Sequence, residues 1–244
     1  IGPIINAGGR LNYSNYGVEL LSSDNQEIIK QRSIDLIKLN NKRKKIEQNI
    51  LDSLDFEKIK KENKNVIVYQ DNNIHEGLIG IIAARLKDHF NKPSIVITKS
   101  NNYLKASARS TSSYNVGNLI KLLIDKKIIE NGGGHNLAAG FSLKKKNIQL
   151  LRNFIEKDFS KKNTSIDNSV KYDSELSTSA INSQFLNEIS KLGPFGNENS
   201  LPIFFFKNIK IIKPKIIKDK HISVLIKPNI GSSIKSICFN SVNT

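Results

Sequence analysis

Gly132-Gly133-Gly134-His135, continued by Asn136-Leu137-Ala138-Ala139-Gly140-Phe141, sets three residues without side chains next to an imidazole. Glycine admits positive φ and lets bare amide N–H groups approach an anion, while the imidazole donates to the same oxygen or positions a water. On that chemistry Gly132, Gly133 and Gly134 are candidate phosphate-binding residues and His135 the candidate catalytic residue. The competing reading is a tight turn beside a core histidine. His75 stands just before an amphipathic segment, with Gly77 and Gly80 allowing close approach, so it either faces an anion at a helix N-terminus or caps and packs there.

Composition points to a polyanionic partner. Lys and Arg number 38 against 22 Asp and Glu, a formal charge of +16, which attracts phosphates and releases their counterions on binding. Part of that excess accompanies a richness in Ile, Asn and Lys of the kind that AT-rich coding sequence produces. No apolar run approaches the ~20 residues that span a bilayer, and no charged start precedes an apolar core, so the expectation is a cytoplasmic protein without membrane contact. Cys238, the single cysteine, sits in an apolar alternation and is expected to be a buried thiol. The chain contains no methionine and opens inside a motif, which is read as a fragment of a longer protein.

Three parts follow from shifts in composition. Residues 1–63 combine a glycine-containing loop with a long helix; Ser23 and Asp24 precede Gln26 and Glu27 in capping-box register, which predicts a helix start near residue 24. That helix reads as a connector between domains. Residues 64–160 alternate in an α/β manner, with strands at 66–69, 94–98 and 103–109, helices at 77–90, 115–124 and 148–159, and a strand at 141–143 leaving the glycine loop. A mixed sheet flanked by helices is expected. Lys161-Lys162-Asn163-Thr164-Ser165 reads as a linker. Residues 165–244 then carry a helix near 180–192, Gly193-Pro194-Phe195-Gly196, and four runs of strand character, which suggest a small β-barrel of the oligonucleotide-binding kind. In that barrel Phe195, Lys207 and Lys210 offer the aromatic-plus-cation pairing that stacks bases and tracks a backbone. By alternation Phe205 points opposite to Phe204 and Phe206, so one set is core.

Taken in order, IGPIINAGGRL at 1–11, HEGLIGIIAARL at 75–86, Ser107-Ala108-Arg109-Ser110, the Gly-Gly-Gly-His stretch and Leu192-Gly193-Pro194-Phe195-Gly196-Asn197 resemble the bacterial RecJ family of DHH phosphoesterases. The resemblance spans essentially the whole chain. It implies a single-strand-specific 5′ to 3′ DNA exonuclease, with residues 1–63 the end of a DHH domain and its connecting helix, 64–160 a DHH-associated domain, and 165–244 the oligonucleotide-binding domain. It places Ser107, Arg109 and Ser110 in a Ser-Gly-Arg-Ser motif that engages a DNA phosphate, with Ala108 in place of the glycine. Arg10 matches a segment near the active-site cleft, where a structural salt bridge is the alternative role. Glu76 replaces the usual proline, and Ile4 stands where an arginine is common.

The resemblance also implies manganese or magnesium, held by DHH aspartates and histidines that lie upstream of Ile1. Nothing in the four scattered histidines replaces that set, so metal ligands are assigned to none of these residues and the chain alone is expected to be inactive. Single-stranded DNA is the expected partner, single-stranded DNA-binding protein a further candidate, and a monomer the expected state. Two other classes remain: a DHH-type phosphoesterase of short oligonucleotides or cyclic dinucleotides, and a nonenzymatic single-strand-binding module.

Overall fold

In the computed structural model, which describes residues 1–162, 170–196, 199–239 and 241–242, the amino end folds into α1 (Gly2–Ile5), α2 (Ala7–Arg10) and α3 (Asn15–Ser22). A Cβ on Gly8 would stand 2.4 Å from the Tyr13 carbonyl oxygen and 3.2 Å from the Leu36 side chain, so glycine is what lets α2 lie against the next helix. That helix, α4, runs Gln26–Ser53. Its cap is Asn25, not the expected Ser23 or Asp24: an extended Asn25 backbone aims the side-chain oxygen at the amides of Glu27 (2.9 Å) and Ile28 (3.3 Å). α4 is also docked rather than a bare connector. Leu36 is fully buried, and the buried Glu47 accepts from Arg43 Nη1 at 2.7 Å and from Arg85 Nε at 2.8 Å.

The next elements are α5 (Phe56–Lys61), β1 (Ile67–Gln70), α6 (Ile79–Phe90), β2 (Ser94–Ser100), β3 (Tyr103–Arg109), α7 (Val116–Asp125), β4 (Asn131–His135), β5 (Ala138–Leu143) and α8 (Ile148–Lys161). They build the mixed sheet that the sequence predicts, in the order β1-β2-β3-β5-β4, with β1 parallel to β2 and the rest antiparallel. Side chains alternate across it. Ile95, Ile97, Ala106, Ala108, Phe141 and Leu143 bury one face against α7 and α8, while Ile67 and Val96 pack on the opposite face with Leu78, Ile82 and Leu86 from α6 and its first turn.

Gly132 to Gly134 form strand β4, not the loop that the glycines suggested, and among the described residues the one glycine with positive φ is Gly231. The physical demand is space. A Cβ on Gly132 would lie 2.7 Å from Phe141 Cβ, and one on Gly134 would lie 2.4 Å from the Ala138 carbonyl oxygen, whereas Gly133 has nothing within 4 Å. The substitution of Ala108 for glycine is likewise harmless to a ligand, because its fully buried methyl points into the core and away from the face carrying Ser107 and Arg109.

The chain folds as two units, Ile1–Asp167 and Asn168–Thr244. Part of the expected linker, residues 163–165, lies outside the described residues, as does Asn197 of the Gly-Pro-Phe-Gly-Asn stretch. In the second unit β6 (Ser174–Glu175) pairs in parallel with β7 (Phe204–Phe205), and α9 (Ser183–Ser190) starts where Asn182 accepts from Phe185 N at 2.9 Å. The expected helix start at Ala180 is a short 3-10 turn over Thr178–Ala180 instead. β8 (Ile209–Ile217), β9 (His221–Pro228) and β10 (Ile234–Cys238) form an antiparallel meander. β8 runs past Pro214 because the register shifts between Ile212 and Lys215 and β8 is an edge, the setting in which proline's missing donor is tolerated. Cys238 is exposed, contrary to the apolar alternation around it, since it ends the other edge strand.

Candidate phosphate site

The ladder aligns Arg109 with Ala138 and Ala138 with His135, then Ser107 with Gly140 and Gly140 with Gly133. Paired residues share a face, so Arg109, Ser107 and His135 look the same way from three neighbouring strands. Strands lie about 4.8 Å apart, which puts His135 about 10 Å from Arg109, Cα to Cα. The half-buried Ala138 stands between them, and in the next row Gly140 and Gly133 continue from Ser107 without side chains, both exposed; a Cβ on Gly140 would meet only the Ala106 carbonyl oxygen, at 3.8 Å. The result is a bare floor of peptide groups bounded by Arg109 and Ser107 on one side and His135 on the other. The glycines thus make room, a role that period-two alternation of Gly133 and its partner Gly140 carries but that a loop reading hides.

The first turn of α6 fixes the cationic side of the floor. His75 Nδ1 accepts from Gly77 N at 3.1 Å, so this histidine caps the turn before α6. A Cβ on Gly77 would lie 2.3 Å from the Arg10 carbonyl oxygen, and Arg10 Nη1 donates to the Gly77 carbonyl at 3.2 Å; the absence of a side chain at Gly77 is what admits α2. Gly80 does the same for Arg109: an added Cβ would lie 3.0 Å from Arg109 Nη2 and 3.2 Å from Ser107 Oγ. Arg109 Nη1 donates to Ser107 Oγ at 3.1 Å and to the Ala108 carbonyl at 2.8 Å. Gly77 and Gly80, which the sequence reading took to allow close approach of an anion, are therefore the seats of two arginines.

Charge at this point is unbalanced. Among the described residues neither Arg10 nor Arg109 has a carboxylate within ion-pair reach. The Arg109 pKa is lowered, first by burial and then by repulsion from Arg10, although a guanidinium stays protonated throughout the working pH range. Glu76 does not neutralise them, being occupied by Lys105 Nζ and Ser100 Oγ, each at 2.8 Å, which hold its carboxyl below the usual range. Ser110 stands apart from this group. Its hydroxyl is buried and donates to the Tyr114 carbonyl at 2.6 Å, so its one proton is spent inside the fold and it positions the turn after β3 instead of facing a ligand.

Gly80→Ala is expected to leave the melting temperature unchanged or raised, since alanine favours a helix by up to about 1 kcal/mol. The new methyl would push the Arg109 guanidinium off its seat, and affinity for single-stranded DNA is expected to fall by about threefold to tenfold, the loss of a fraction of one charge-assisted hydrogen bond. Thermal melting and fluorescence anisotropy on the same sample check both halves.

In the second unit the expected DNA-facing residues are dispersed. Phe195 is half-buried, Lys207 Nζ is paired with Glu175 at 2.5 Å, and Lys210 is exposed on β8. The exposed aromatic pair is Tyr172 and Phe205, with ring centroids 5.2 Å apart and planes at 28°, while Phe204 and Phe206 are half-buried as alternation requires. Tyr172 carried no sequence signal, because its partner is 33 positions away and only strand pairing of β6 with β7 joins them.

Residues 63–161 match the DHHA1 domain family, and residues 172–244 match the RecJ OB domain family. The single-stranded-DNA-specific exonuclease RecJ of Haemophilus influenzae is 27% identical over 100% of this chain, which spans 44% of that relative. RecJ of Escherichia coli K12 is 26% identical over 98% of the chain, and here the chain spans 43% of the relative. Among solved structures, Thermus thermophilus RecJ in complex with Mn2+ superposes over 98% of this chain and 35% of its own, with a TM-score of 0.80 at 20% identity. The chain thus spans less than half the length of these relatives. Among the described residues no group of three or more His, Cys, Asp or Glu side chains is placed to hold a metal.

Proposed function

We propose that this chain, which joins a DHHA1 domain to a RecJ OB domain and belongs to the RecJ family, is the substrate-holding part of a single-strand-specific 5′ to 3′ DNA exonuclease of repair and recombination. The observation that carries this reading is that Arg10, seated on Gly77, and Arg109, seated on Gly80 beside Ser107, repel each other with no carboxylate among the described residues to offset them. A DNA phosphate supplies the missing charge. Arg109 grips it with the donors not engaged by Ser107 and Ala108, and Arg10 adds its field. Ser107, whose Oγ accepts from Arg109, keeps its hydroxyl proton to donate to the phosphate. Bringing the anion between two cations relieves a repulsion that folding built in, and fixed donors of this kind stabilise charge on the phosphoryl oxygens without reorganising during reaction.

The glycine floor lets the strand lie close to the sheet, and His135 meets it at the far side, within reach of a neighbouring phosphate or a water. A divalent ion, manganese or magnesium as in the solved Thermus thermophilus relative, would supply activation of the attacking water, while Arg109, Ser107 and His135 hold and orient the phosphate. In the second unit Tyr172 and Phe205 offer rings for stacking, with Phe195 and Lys210 as further contacts to the strand. Single-stranded DNA-binding protein is a candidate partner in delivering that strand, and the chain works as a monomer.

The test is anisotropy with a 5′-phosphorylated single strand, the same strand with a free 5′-hydroxyl, and a blunt duplex, each across a salt titration. The expected result is preference for the single strands, strongest with the 5′-phosphate, and a steep decline with salt. Equal weak binding to all three overturns the reading and leaves only nonspecific charge.

A further inference from the structure

The outer edge of β1 is open, and two helices turn it into a groove. Ile67 donates its N–H to the Pro93 carbonyl (2.9 Å) and Asp71 donates to the Ile97 carbonyl (3.1 Å), so odd-numbered residues of β1 face β2. The N–H and C=O of Val68 and the N–H of Gln70 therefore point away from the sheet, and among the described residues no backbone or side-chain group pairs with them. A cavity of about 390 Å³ runs along this edge, lined by Lys58 and Ile59 of α5, by Arg152 of α8 and by Lys64 just before the strand.

Its charge is positive. Asp55 also lines the groove but is used as the cap of α5, accepting from Lys58 N at 2.9 Å. Glu62, the other lining carboxylate, acts on Arg152 only from beyond ion-pair reach, and the dominant influence on that guanidinium is burial, which lowers its pKa. Arg152 is thus a partly desolvated cation facing unpaired strand edge. An unpaired edge of four residues, about 13 Å long, is a template for another strand unless something covers it.

We infer that β1 is a strand-addition site for an extended segment of a partner protein in which apolar residues alternate with acidic ones. Backbone pairing to Val68 and Gln70 supplies affinity. Alternation then sends one set of side chains toward Arg152 and the other toward Ile59, which selects carboxylates on the first set and aliphatic groups on the second. The site lies within the first unit and is independent of the DNA reading.

The test uses the ¹⁵N-labelled full chain with a blocked seven-residue peptide alternating valine and glutamate, and a second peptide with lysine replacing glutamate. The expected result is that the glutamate peptide shifts the Val68 and Gln70 amide signals and slows their hydrogen exchange, while the lysine peptide does neither. Arg152→Gln weakens binding about tenfold, the loss of a charge-assisted hydrogen bond. Val68→Pro, which deletes an outward donor and leaves the β1–β2 ladder intact, abolishes it. Unmoved Val68 and Gln70 signals at millimolar peptide, equal binding of the lysine peptide, or unchanged affinity in the Arg152→Gln protein overturns the inference.

Discussion

Gly134→Ala is expected to destabilise the first unit by about 3 kcal/mol, the upper part of the range for overpacking, because the atoms that the new methyl would strike are not free to move. They lie in β5: the Ala138 carbonyl oxygen at 2.4 Å and the Ala139 Cα and Cβ at 2.5 Å. Rotating a side chain does not relieve such a contact; the two strands have to separate, which breaks the ladder that aligns His135 with Ala138. Gly133→Ala is the matched control. With nothing within 4 Å, its methyl fits, and restricting the unfolded chain adds about 0.4 to 1 kcal/mol of stability. That methyl nevertheless stands on the bare floor, so affinity for single-stranded DNA is expected to fall while the fold holds. Urea unfolding followed by anisotropy on both variants separates the two roles. A Gly134→Ala protein as stable as the parent would show that β4 is not held against β5 as described.

Arg109→Ala is expected to weaken single-stranded DNA binding by about 1.5 to 3 kcal/mol, roughly tenfold to more than a hundredfold, the value of a hydrogen-bonded charge facing phosphate. Stability should move the other way or not at all. Arg109 is half-buried and repelled by Arg10 with no counterion among the described residues, and removing it eliminates both a desolvated cation and a like-charge repulsion. Improved or unchanged folding with impaired binding is the signature of a residue kept for its ligand. The salt slope of binding should also become shallower, by about 0.7 for one fewer phosphate neutralised on a single strand. Arg109→Lys keeps the charge but not the fork, and is expected to recover only part of the affinity. Unchanged affinity in Arg109→Ala removes this residue from the site.

How far residue type dictated the outcome differs from element to element. β2, α6, α7 and α8 follow from periodicity, since Ile95 and Ile97 or Leu119, Ile120 and Leu123 are apolar at the spacing of the elements they form. The charge excess and the ordered motifs are likewise readable without coordinates, the first as a preference for a polyanion and the second as the family resemblance. Periodicity fails where tertiary packing sets the conformation. Asn25 wins the cap from Asp24 through its backbone angle, and β8 passes through Pro214 because it lies at an edge with a register shift.

Motifs alone single out Arg10, Ser107, Arg109 and His135 as candidates for a phosphate. What each of them is free to do depends on packing. Ser110 and Arg109 are adjacent in the chain, yet one hydroxyl is consumed by Tyr114 inside the fold while the neighbouring guanidinium has no carboxylate partner among the described residues. Three like glycines part in the same way, with Gly132 and Gly134 spent on packing and Gly133 open to a ligand. The reason is that alternation and strand pairing assign faces, whereas composition carries no information on which partner a face will meet.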